Sequence, residues 1–78
     1  MNQGILFNDD VNVVENTLTF TAMVNGMIVK CLIVTPPMTD EAALKHFQAH
    51  QFDYEMQAEQ LIEDEVYEED GSILLAFV

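Results

Sequence analysis

The chain has 78 residues, half of them hydrophobic, and 14 acidic residues against only two basic ones give it a formal net charge of −12. A surface this negative repels phosphate backbones and anionic lipid headgroups, so direct binding to nucleic acid or to a membrane surface is not expected. The length predicts one acidic domain spanning residues 1–78, whose thin core and single cysteine favour stabilisation through a homodimer contact.

The first segment, Met1–Phe7, has neither a basic start nor an apolar run of the length that a signal peptide requires. No stretch of the sequence approaches the roughly 18 to 20 apolar residues of a membrane span. Together with the lone thiol, this predicts a cytoplasmic protein. Within the segment, Ile5–Phe7 is expected to form a short strand at the margin of a sheet, followed by an irregular acidic loop through Glu15.

The clearest local pattern is a hairpin in which Thr17–Val24 and Met27–Val34 flank Asn25-Gly26. An Asn-Gly pair accommodates the two positive φ angles of a type I′ turn, which fixes the register of the strands. The expected pairs are Val24 with Met27, Ala22 with Val29, Phe20 with Cys31 and Leu18 with Ile33. One face of the hairpin is therefore apolar along its whole length and is predicted to face the core.

The opposite face of the hairpin mixes threonines and Lys30 with four apolar residues, Met23, Ile28, Leu32 and Val34. Such a face is neither cleanly solvated nor cleanly buried. We predict that these four residues contact a partner, with a second subunit as one candidate.

Pro36 and Pro37 end the second strand because neither can donate a ladder hydrogen bond. Thr39 is predicted to cap a helix from Asp40 to Tyr67, whose first turn is acidic and suits the helix dipole. A stripe at steps of three and four runs through Ala43, Phe47, His50, Tyr54, Ala58, Leu61 and Glu65. The helix would measure about 42 Å against about 27 Å for an eight-residue strand, so a bend is expected near Gln51–Asp53.

The last segment has a polar turn, Glu68–Gly71, and then a strand from Ser72 to Val78 that is apolar on both faces. The predicted order of elements is β-β-β-α-β. The fold class is α+β: a small, mostly antiparallel sheet with one long or bent helix packed on one face.

Positions along nearly the whole chain resemble a bacterial family of short hypothetical proteins. The matching residues are Ile5-Leu6-Phe7, Phe20-Thr21-Ala22, Val24-Asn25-Gly26, Cys31, Phe47, Tyr54-Glu55, Ala58, Gly71 and Ile73-Leu74-Leu75. The family is a domain of unknown function found mostly in proteobacteria, with the helix pattern F-x-x-x-R-x-x-I-E-x-x-A. Gln51 stands here in place of the arginine and Tyr54 in place of the isoleucine. The resemblance implies a single α+β domain and no activity, substrate or catalytic residue.

Three side chains on the helix have the spacing of metal ligands. His46, His50 and Asp53 fall at i, i+4 and i+7, where two imidazoles one turn apart and a nearby carboxylate suit a divalent ion such as zinc. The competing interpretation, which we favour, is that His50 is a packed histidine on the apolar stripe between Phe47 and Tyr54.

Nine of the fourteen carboxylates lie between Asp53 and Asp70, and three of them, Glu55, Glu59 and Glu63, are four residues apart on the helix. Their spacing of about 6 Å could imitate a phosphate row and occupy the basic groove of a DNA- or RNA-binding protein. The simpler interpretation is a solvated face that keeps the protein soluble.

Catalytic patterns are missing from the sequence. Cys31 lies on the predicted core face, Lys30 points to the other face and neither histidine is near in sequence, which is typical of a structural thiol. There is no Ser/His/Asp order and no glycine-rich phosphate loop. The sequence therefore predicts no enzyme and no cofactor.

The leading hypothesis from the sequence is a small cytoplasmic accessory or regulatory module for protein–protein interaction, with an unassigned partner. The alternatives are an acidic nucleic-acid mimic that binds a basic protein and a metal-binding site on the helix.

The charge imbalance generates a first prediction, concerning salt. Lys30 and Lys45 can pair with at most two carboxylates, so the remaining acidic residues repel one another. Sodium chloride should raise the melting temperature because it screens this repulsion. The Debye length is about 8 Å at 0.15 M and shortens further as salt is added. Thermal unfolding at increasing salt measures this, and a flat or falling trend would contradict it.

Overall fold

The structure is a computed structural model that describes residues 4–78, so residues 1–3 of the segment assessed above for a signal peptide lie outside the described residues. The described elements are β1 (Ile5–Phe7), β2 (Asn12–Val14), β3 (Thr17–Val24), β4 (Met27–Val34), α1 (Asp40–Glu63) and β5 (Ile73–Leu75). In the sheet, β3 lies between β4 and an edge shared by β1 and β2, and β5 borders β4 on its other side.

The β3–β4 hairpin forms the centre of the sheet. Its cross-strand pairs are those predicted from the turn: Val24 with Met27, Ala22 with Val29, Phe20 with Cys31 and Leu18 with Ile33. Asn25 and Gly26 have φ angles of 51° and 85°, the left-handed conformation that a type I′ turn requires at both positions. The predicted hairpin and its register are confirmed.

The edge of β3 opposite β4 is built from two short antiparallel strands instead of one. β1 pairs with Ala22–Val24 and β2 pairs with Thr17–Thr19. Thr21 faces the interruption between β1 and β2. There the Thr21 backbone N–H and the Thr21 hydroxyl donate hydrogen bonds to the Asp10 carboxylate, at 3.0 Å and 2.6 Å. The Asn8 backbone N–H donates to the Thr21 carbonyl at 3.0 Å. Side-chain and loop groups therefore replace the missing strand partner.

Strand β2 corrects the prediction of an irregular acidic loop through Glu15. Glu15 and Asn16 take φ angles of 50° and 60°, so they form a tight reversal that returns the chain directly into β3. Val13 packs against the core while Asn12 and Val14 are exposed. The prediction missed this strand because Glu-Asn is a weak turn signal compared with Asn-Gly.

Helix α1 covers one face of the sheet and encloses the core between them. The buried side chains are Leu18, Phe20, Ala22, Val29, Cys31, Ile33, Ala43, Phe47, Tyr54, Ala58, Ile62, Ile73 and Leu75. Three aromatic rings connect the layers, with ring centroids 5.2 Å apart for Phe20 and Phe47 and 5.8 Å apart for Phe47 and Tyr54. These distances lie in the range where aromatic pairs add stability beyond the area they bury.

The helix begins as predicted: the Thr39 hydroxyl accepts a hydrogen bond from the Ala42 backbone N–H at 3.1 Å. It is bent at His50, whose φ of −119° and ψ of 17° are not helical. The predicted bend is thus present, one residue before the expected Gln51–Asp53. Because His50 lies at the kink with a half-exposed side chain, it does not occupy the packed position expected of it.

The helix ends at Glu63, so the prediction that it continues to Tyr67 is wrong. Glu65 adopts a left-handed φ of 58°, and the Val66 backbone N–H donates back to the Leu61 carbonyl at 2.9 Å. This closes the helix in the manner of a Schellman-type cap. The last turn contains no basic residue, so consecutive carboxylates oppose the negative end of the helix dipole and disfavour further turns.

The final strand is shorter than the predicted Ser72–Val78 and pairs with β4 in parallel. It stops at Leu75 because the Gln57 amide engages both backbone groups of Ala76: Nε2 donates to the carbonyl at 3.1 Å, and Oε1 accepts from the N–H at 3.0 Å. Farther along, the Val78 backbone N–H donates to the Tyr54 hydroxyl at 3.1 Å. The helix therefore holds the segment that the sequence assigned to the sheet.

The predicted fold class is confirmed: the protein is α+β, with a mostly antiparallel sheet and one bent helix on one of its faces. The predicted order β-β-β-α-β is wrong by one strand, since β2 makes the order β-β-β-β-α-β. The parallel β4–β5 pair is the exception to the antiparallel pattern. Among residues 4–78, no helix combines the length and the apolar character needed to cross a membrane.

The strained helix end generates a prediction for stability. Glu65→Gly should raise the free energy of unfolding by about 1 kcal/mol, because glycine adopts the left-handed conformation freely and the change removes a carboxylate from the helix C-terminus. Glu65→Gln removes the charge but keeps the strain, so its gain should be smaller. Urea unfolding measures both.

The matched control is Glu63→Gly, which removes the same side chain from inside the helix. That variant should lose stability by about 1 kcal/mol, the helix propensity difference between glycine and a good helix former. If Glu65→Gly were as destabilising as Glu63→Gly, the left-handed cap would be contradicted.

Candidate interaction surface

The face of the sheet opposite α1, termed the open face, is the main candidate for a functional surface. It is formed by the side chains that alternate with core residues along each strand. Read across the sheet, it contains four rows: Leu6, Met23 and Ile28; Asp10, Thr21 and Lys30; Asn12, Thr19, Leu32 and Leu74; and Val14, Thr17 and Val34.

Most apolar members of the open face are strongly exposed, and Met23 and Leu32 are half-buried. Leu6 is 67% exposed, Ile28 66% and Val34 60%. The four residues predicted as a partner contact, Met23, Ile28, Leu32 and Val34, all lie on this face. Scattered apolar side chains are normal on a protein surface, whereas a contiguous patch marks an interaction site. Contact with a partner through these residues stays a prediction.

A polar row crosses the open face near its middle. Thr21 pairs across the hairpin with Lys30, and its hydroxyl donates to the Asp10 carboxylate on the other side. A hydrogen bond from the Asn8 side-chain amide to the same hydroxyl, 2.8 Å long, further fixes this group. The row therefore presents a carboxylate held in place at one end and an exposed ammonium group two strand positions away.

Other charges lie outside the centre of the open face. Glu68, Glu69 and Asp70 border it beside Leu32 and Leu74, and Asp70 also lies beside Lys30. Hydrogen bonds from the Ser72 hydroxyl and backbone N–H lower the pKa of Asp70, and Lys30 lowers it further by attraction. Lys45 pairs with Glu41 at 3.6 Å on the exposed surface of the helix. Lys30 is thus the cation that belongs to the open face.

The predicted acidic row, Glu55, Glu59 and Glu63, lies on α1, on the other side of the sheet. Glu55 and Glu59 are half-buried, and only Glu63 is exposed. The Glu55 carboxylate accepts a hydrogen bond from the Gln51 amide at 3.0 Å. The row therefore projects less charge into solvent than its spacing suggested.

Two large apolar side chains stand out on the exposed surface of α1. Phe52 is 72% exposed and Met56 is 55% exposed, one helical turn apart. They lie among the carboxylates of the same helix. This part of the surface is mixed in character, unlike a continuous row of phosphates.

The two histidines contact aromatic side chains. His46 Nε2 lies 2.7 Å from the Tyr54 hydroxyl oxygen, and the His46 ring stacks on Phe77 with a centroid distance of 4.3 Å. The His50 ring is 4.5 Å from that of His46, and its Nδ1 is 3.8 Å from Asp53 Oδ2. Burial lowers the pKa of His46 and repulsion from His50 lowers it further, so the neutral ring is favoured.

The predicted metal ligands His46, His50 and Asp53 lie on one stretch of the bent helix. Within residues 4–78, no group of three histidine, cysteine, aspartate or glutamate side chains is placed to hold a metal ion. The bend at His50 changes the direction in which successive turns present their side chains. The observed contacts of His46 instead help to hold Phe77 and the C-terminal segment against the helix.

Cys31 lies on the core face opposite Phe20, as predicted, and is fully buried. Burial, with a smaller effect from Asp10, raises the pKa of its thiol from 9.0 to about 12. A thiol of this kind stays protonated near neutral pH, so it is a poor nucleophile and a poor metal ligand.

Sequence reasoning missed four members of the open face: Leu6, Val14, Leu74 and Asp10. The first three could be assigned only once it was known which strand borders which, since each lies in a strand of three residues. Asp10 carries no local signal, because its position depends on the interruption between β1 and β2. The hairpin residues were found because a single turn fixes their alternation.

Comparison with known proteins identifies relatives along nearly the whole chain. A family model described as a protein of unknown function, DUF1488, matches residues 5–75. The uncharacterized protein YrdB of Escherichia coli (strain K12) is 34% identical over 84 aligned positions, covering 96% of this chain and 99% of that protein. A crystal structure of a protein of unknown function from the same family in Shewanella loihica PV-4 has a TM-score of 0.86 and 32% identity. It matches 96% of this chain and 94% of its own. The resemblance seen in the sequence is confirmed.

The environment of Cys31 generates a prediction for thiol chemistry. A rise in pKa from 9.0 to about 12 lowers the thiolate fraction about a thousandfold near neutral pH. In the native protein, Cys31 should react with an aromatic disulfide reagent at least about a hundredfold more slowly than in denaturant. Absorbance of the released thiolate measures both rates.

The matched control places a thiol on the exposed helix surface. Phe52→Cys, combined with Cys31→Ala, should react as fast in the native protein as in denaturant, since Phe52 is largely exposed. Rapid native labelling of Cys31 itself would contradict its assignment as a structural thiol.

Proposed function

The chain belongs to the DUF1488 family of proteins of unknown function, and we propose that it acts as a non-catalytic interaction module that binds another protein through the open face of its sheet. The observation that carries this proposal is that three of the four rows of the open face contain exposed apolar side chains. The fourth is the polar row. We further propose the cytoplasm as its compartment, since an unpaired cysteine suits reducing surroundings.

The extent of the open face supports the proposal. Eight-residue strands about 27 Å long and four strand positions about 4.8 Å apart give a flat footprint of about 500 Å². Seven of the thirteen residues on this face are apolar, and covering their exposed area with a partner is favourable. The threonines Thr17, Thr19 and Thr21 keep its centre compatible with water before a partner binds.

The chemistry of the described side chains supports a role without catalysis. The Cys31 thiol is buried and its raised pKa keeps it protonated. His46 contacts Tyr54 and Phe77, and His50 contacts His46 and Asp53, so both histidines belong to the packing around the C-terminal segment. These contacts give each residue a structural role that is independent of any substrate.

An acidic mimic that binds a basic nucleic-acid-binding protein is the second candidate. It is favoured by the concentration of nine of the fourteen carboxylates between Asp53 and Asp70. Two observations weigh against it: Glu55 and Glu59 are half-buried, and the apolar side chains of Phe52 and Met56 interrupt the charged surface. The open face therefore ranks first.

Affinity purification from the native host tests the proposal. The tagged protein is compared with Ile28→Asp, which places a charge in the apolar row of the open face. Because Ile28 is exposed in the single chain, this change should leave folding intact while reducing bound protein at least about tenfold. Quantitative mass spectrometry identifies what is bound, including untagged copies of the same chain.

Met56→Asp is the matched control, because it makes the same kind of change at an exposed apolar residue of the helix. The proposal expects binding to be retained in this variant. Equal binding by the wild type and Ile28→Asp would overturn it. Loss of binding in a Glu55→Gln, Glu59→Gln, Glu63→Gln variant, together with release of a basic protein by salt, would support the acidic mimic instead.

A further inference from the structure

We infer that the open face binds a second copy of this chain, face to face, about a two-fold axis that runs parallel to β3. The inference rests on the proposed function and names the partner of that surface. In this arrangement the two β3 strands lie against each other, and the edge formed by β1 and β2 in one copy faces β4 in the other. It is an isologous contact, in which each pairing occurs twice.

The polar row of the open face carries the argument. Lys30 and Asp10 stand on opposite sides of Thr21, about one strand position from β3 in each direction. A two-fold axis along β3 exchanges these sides, so Lys30 of each copy faces Asp10 of the other. Two complementary ion pairs then form at the level where the face is otherwise polar. The two hydrogen bonds from Thr21 hold the Asp10 carboxylate ready for this contact.

The same two-fold axis also determines which apolar residues face each other. The axis brings Met23 against its own counterpart, Leu6 against Ile28, and Val14 against Val34, following the cross-strand registers. Packed sheets are rotated by about 30° because of strand twist, which shifts the outer rows while the central rows remain opposed. The apolar match therefore holds for the first and last rows, whereas in the third row Leu32 meets Asn12 and Leu74 lies outside the opposed strands.

A two-fold axis perpendicular to the strands does not produce this match. With such an axis, each strand would face the same strand of the other copy, and the order of the four rows would be reversed. The second row would then face the third, which places Lys30 against Leu32. A cation would then be desolvated against an apolar side chain with no carboxylate opposite, which is unfavourable. The charge pattern therefore selects the axis along β3.

Size and net charge are both compatible with a second copy. The three strand positions that oppose each other have a flat footprint of about 390 Å², which grows toward the about 600 to 800 Å² per partner of stable interfaces when the area of the side chains standing on it is included. Glu68 and Glu69 border the open face beside Leu32 and Leu74, and Asp70 lies beside Lys30, which offsets part of its charge. The acidic helix faces away from the contact, so repulsion between the copies acts over long distances and is screened by salt.

Charge exchange across the contact tests the inference. Sedimentation velocity should show a dimer of the wild-type protein at about 0.2 mM, a concentration at which micromolar affinity gives nearly complete association. Lys30→Glu should weaken the dimer about a hundredfold, since two attractive pairs become two repulsive ones. Asp10→Asn should weaken it only about tenfold, and it keeps an oxygen that accepts the Thr21 N–H.

The decisive measurement mixes the two variants. In a heterodimer of Lys30→Glu with Asp10→Asn, one ion pair is restored and the other contact is neutral, so native mass spectrometry should show the mixed dimer in excess over the Lys30→Glu homodimer. Lys45→Glu is the matched control, because it makes the same charge change on the helix and should leave the dimer intact. Circular dichroism verifies folding of each variant.

Three outcomes would overturn the inference: a monomeric wild-type protein at about 0.2 mM, equal weakening by Lys30→Glu and Lys45→Glu, or no preference for the mixed dimer. None of them decides the proposed function. If the protein is monomeric but Ile28→Asp still abolishes binding of a different protein from the host, the open face has another partner and the proposed function stands.

Discussion

The Asn25-Gly26 turn is the constraint on which the rest of the structure depends. By fixing the hairpin register it decides which side chains of β3 and β4 face α1 and which face the other way. Side chains alternate strictly in a strand, so a shift of one residue would exchange the two faces completely. The core residues Leu18, Phe20, Cys31 and Ile33 and the exposed residues of the open face are two consequences of one turn.

A second constraint follows from chain length. A chain of 78 residues provides one helix long enough to cover a sheet, and that helix covers one face. Among residues 4–78, the other face is left without a covering layer. The residues of this face suit both exposure to water and contact with a partner. The threonines and Lys30 are compatible with water, while burying Leu6, Ile28 and Val34 against a partner is favourable. The acidic residues are concentrated on the helix and the loop after it, so they lie largely outside this face.

Features governed by local chemistry could be predicted from the sequence. The hairpin and the Thr39 cap each depend on residues close in sequence, and both are present. The helix bend, also present, was predicted from the length of the helix relative to the strands. Features governed by distant contacts could not. The final strand was predicted too long because Gln57, 19 positions before Ala76, captures its backbone. The helix was predicted too long because apolar spacing continues past Glu63 although the charges of Glu63, Asp64 and Glu65 do not favour another turn. Of the candidate surface, the hairpin half was predictable and the contributions of β1, β2 and β5 were not.

The interruption opposite Thr21 has a consequence for unwanted polymerisation. A long unpaired edge is a template for adding strands from other molecules, and continued addition leads to fibres. Here Asp10 and Asn8 occupy the backbone groups of Thr21 that such a strand would need, and β1 and β2 offer only three residues each. At the opposite margin, Gln57 occupies Ala76 directly after the short β5. Both rims of the sheet therefore offer few free backbone groups for a strand of another molecule, so the sheet is protected against growth into fibres.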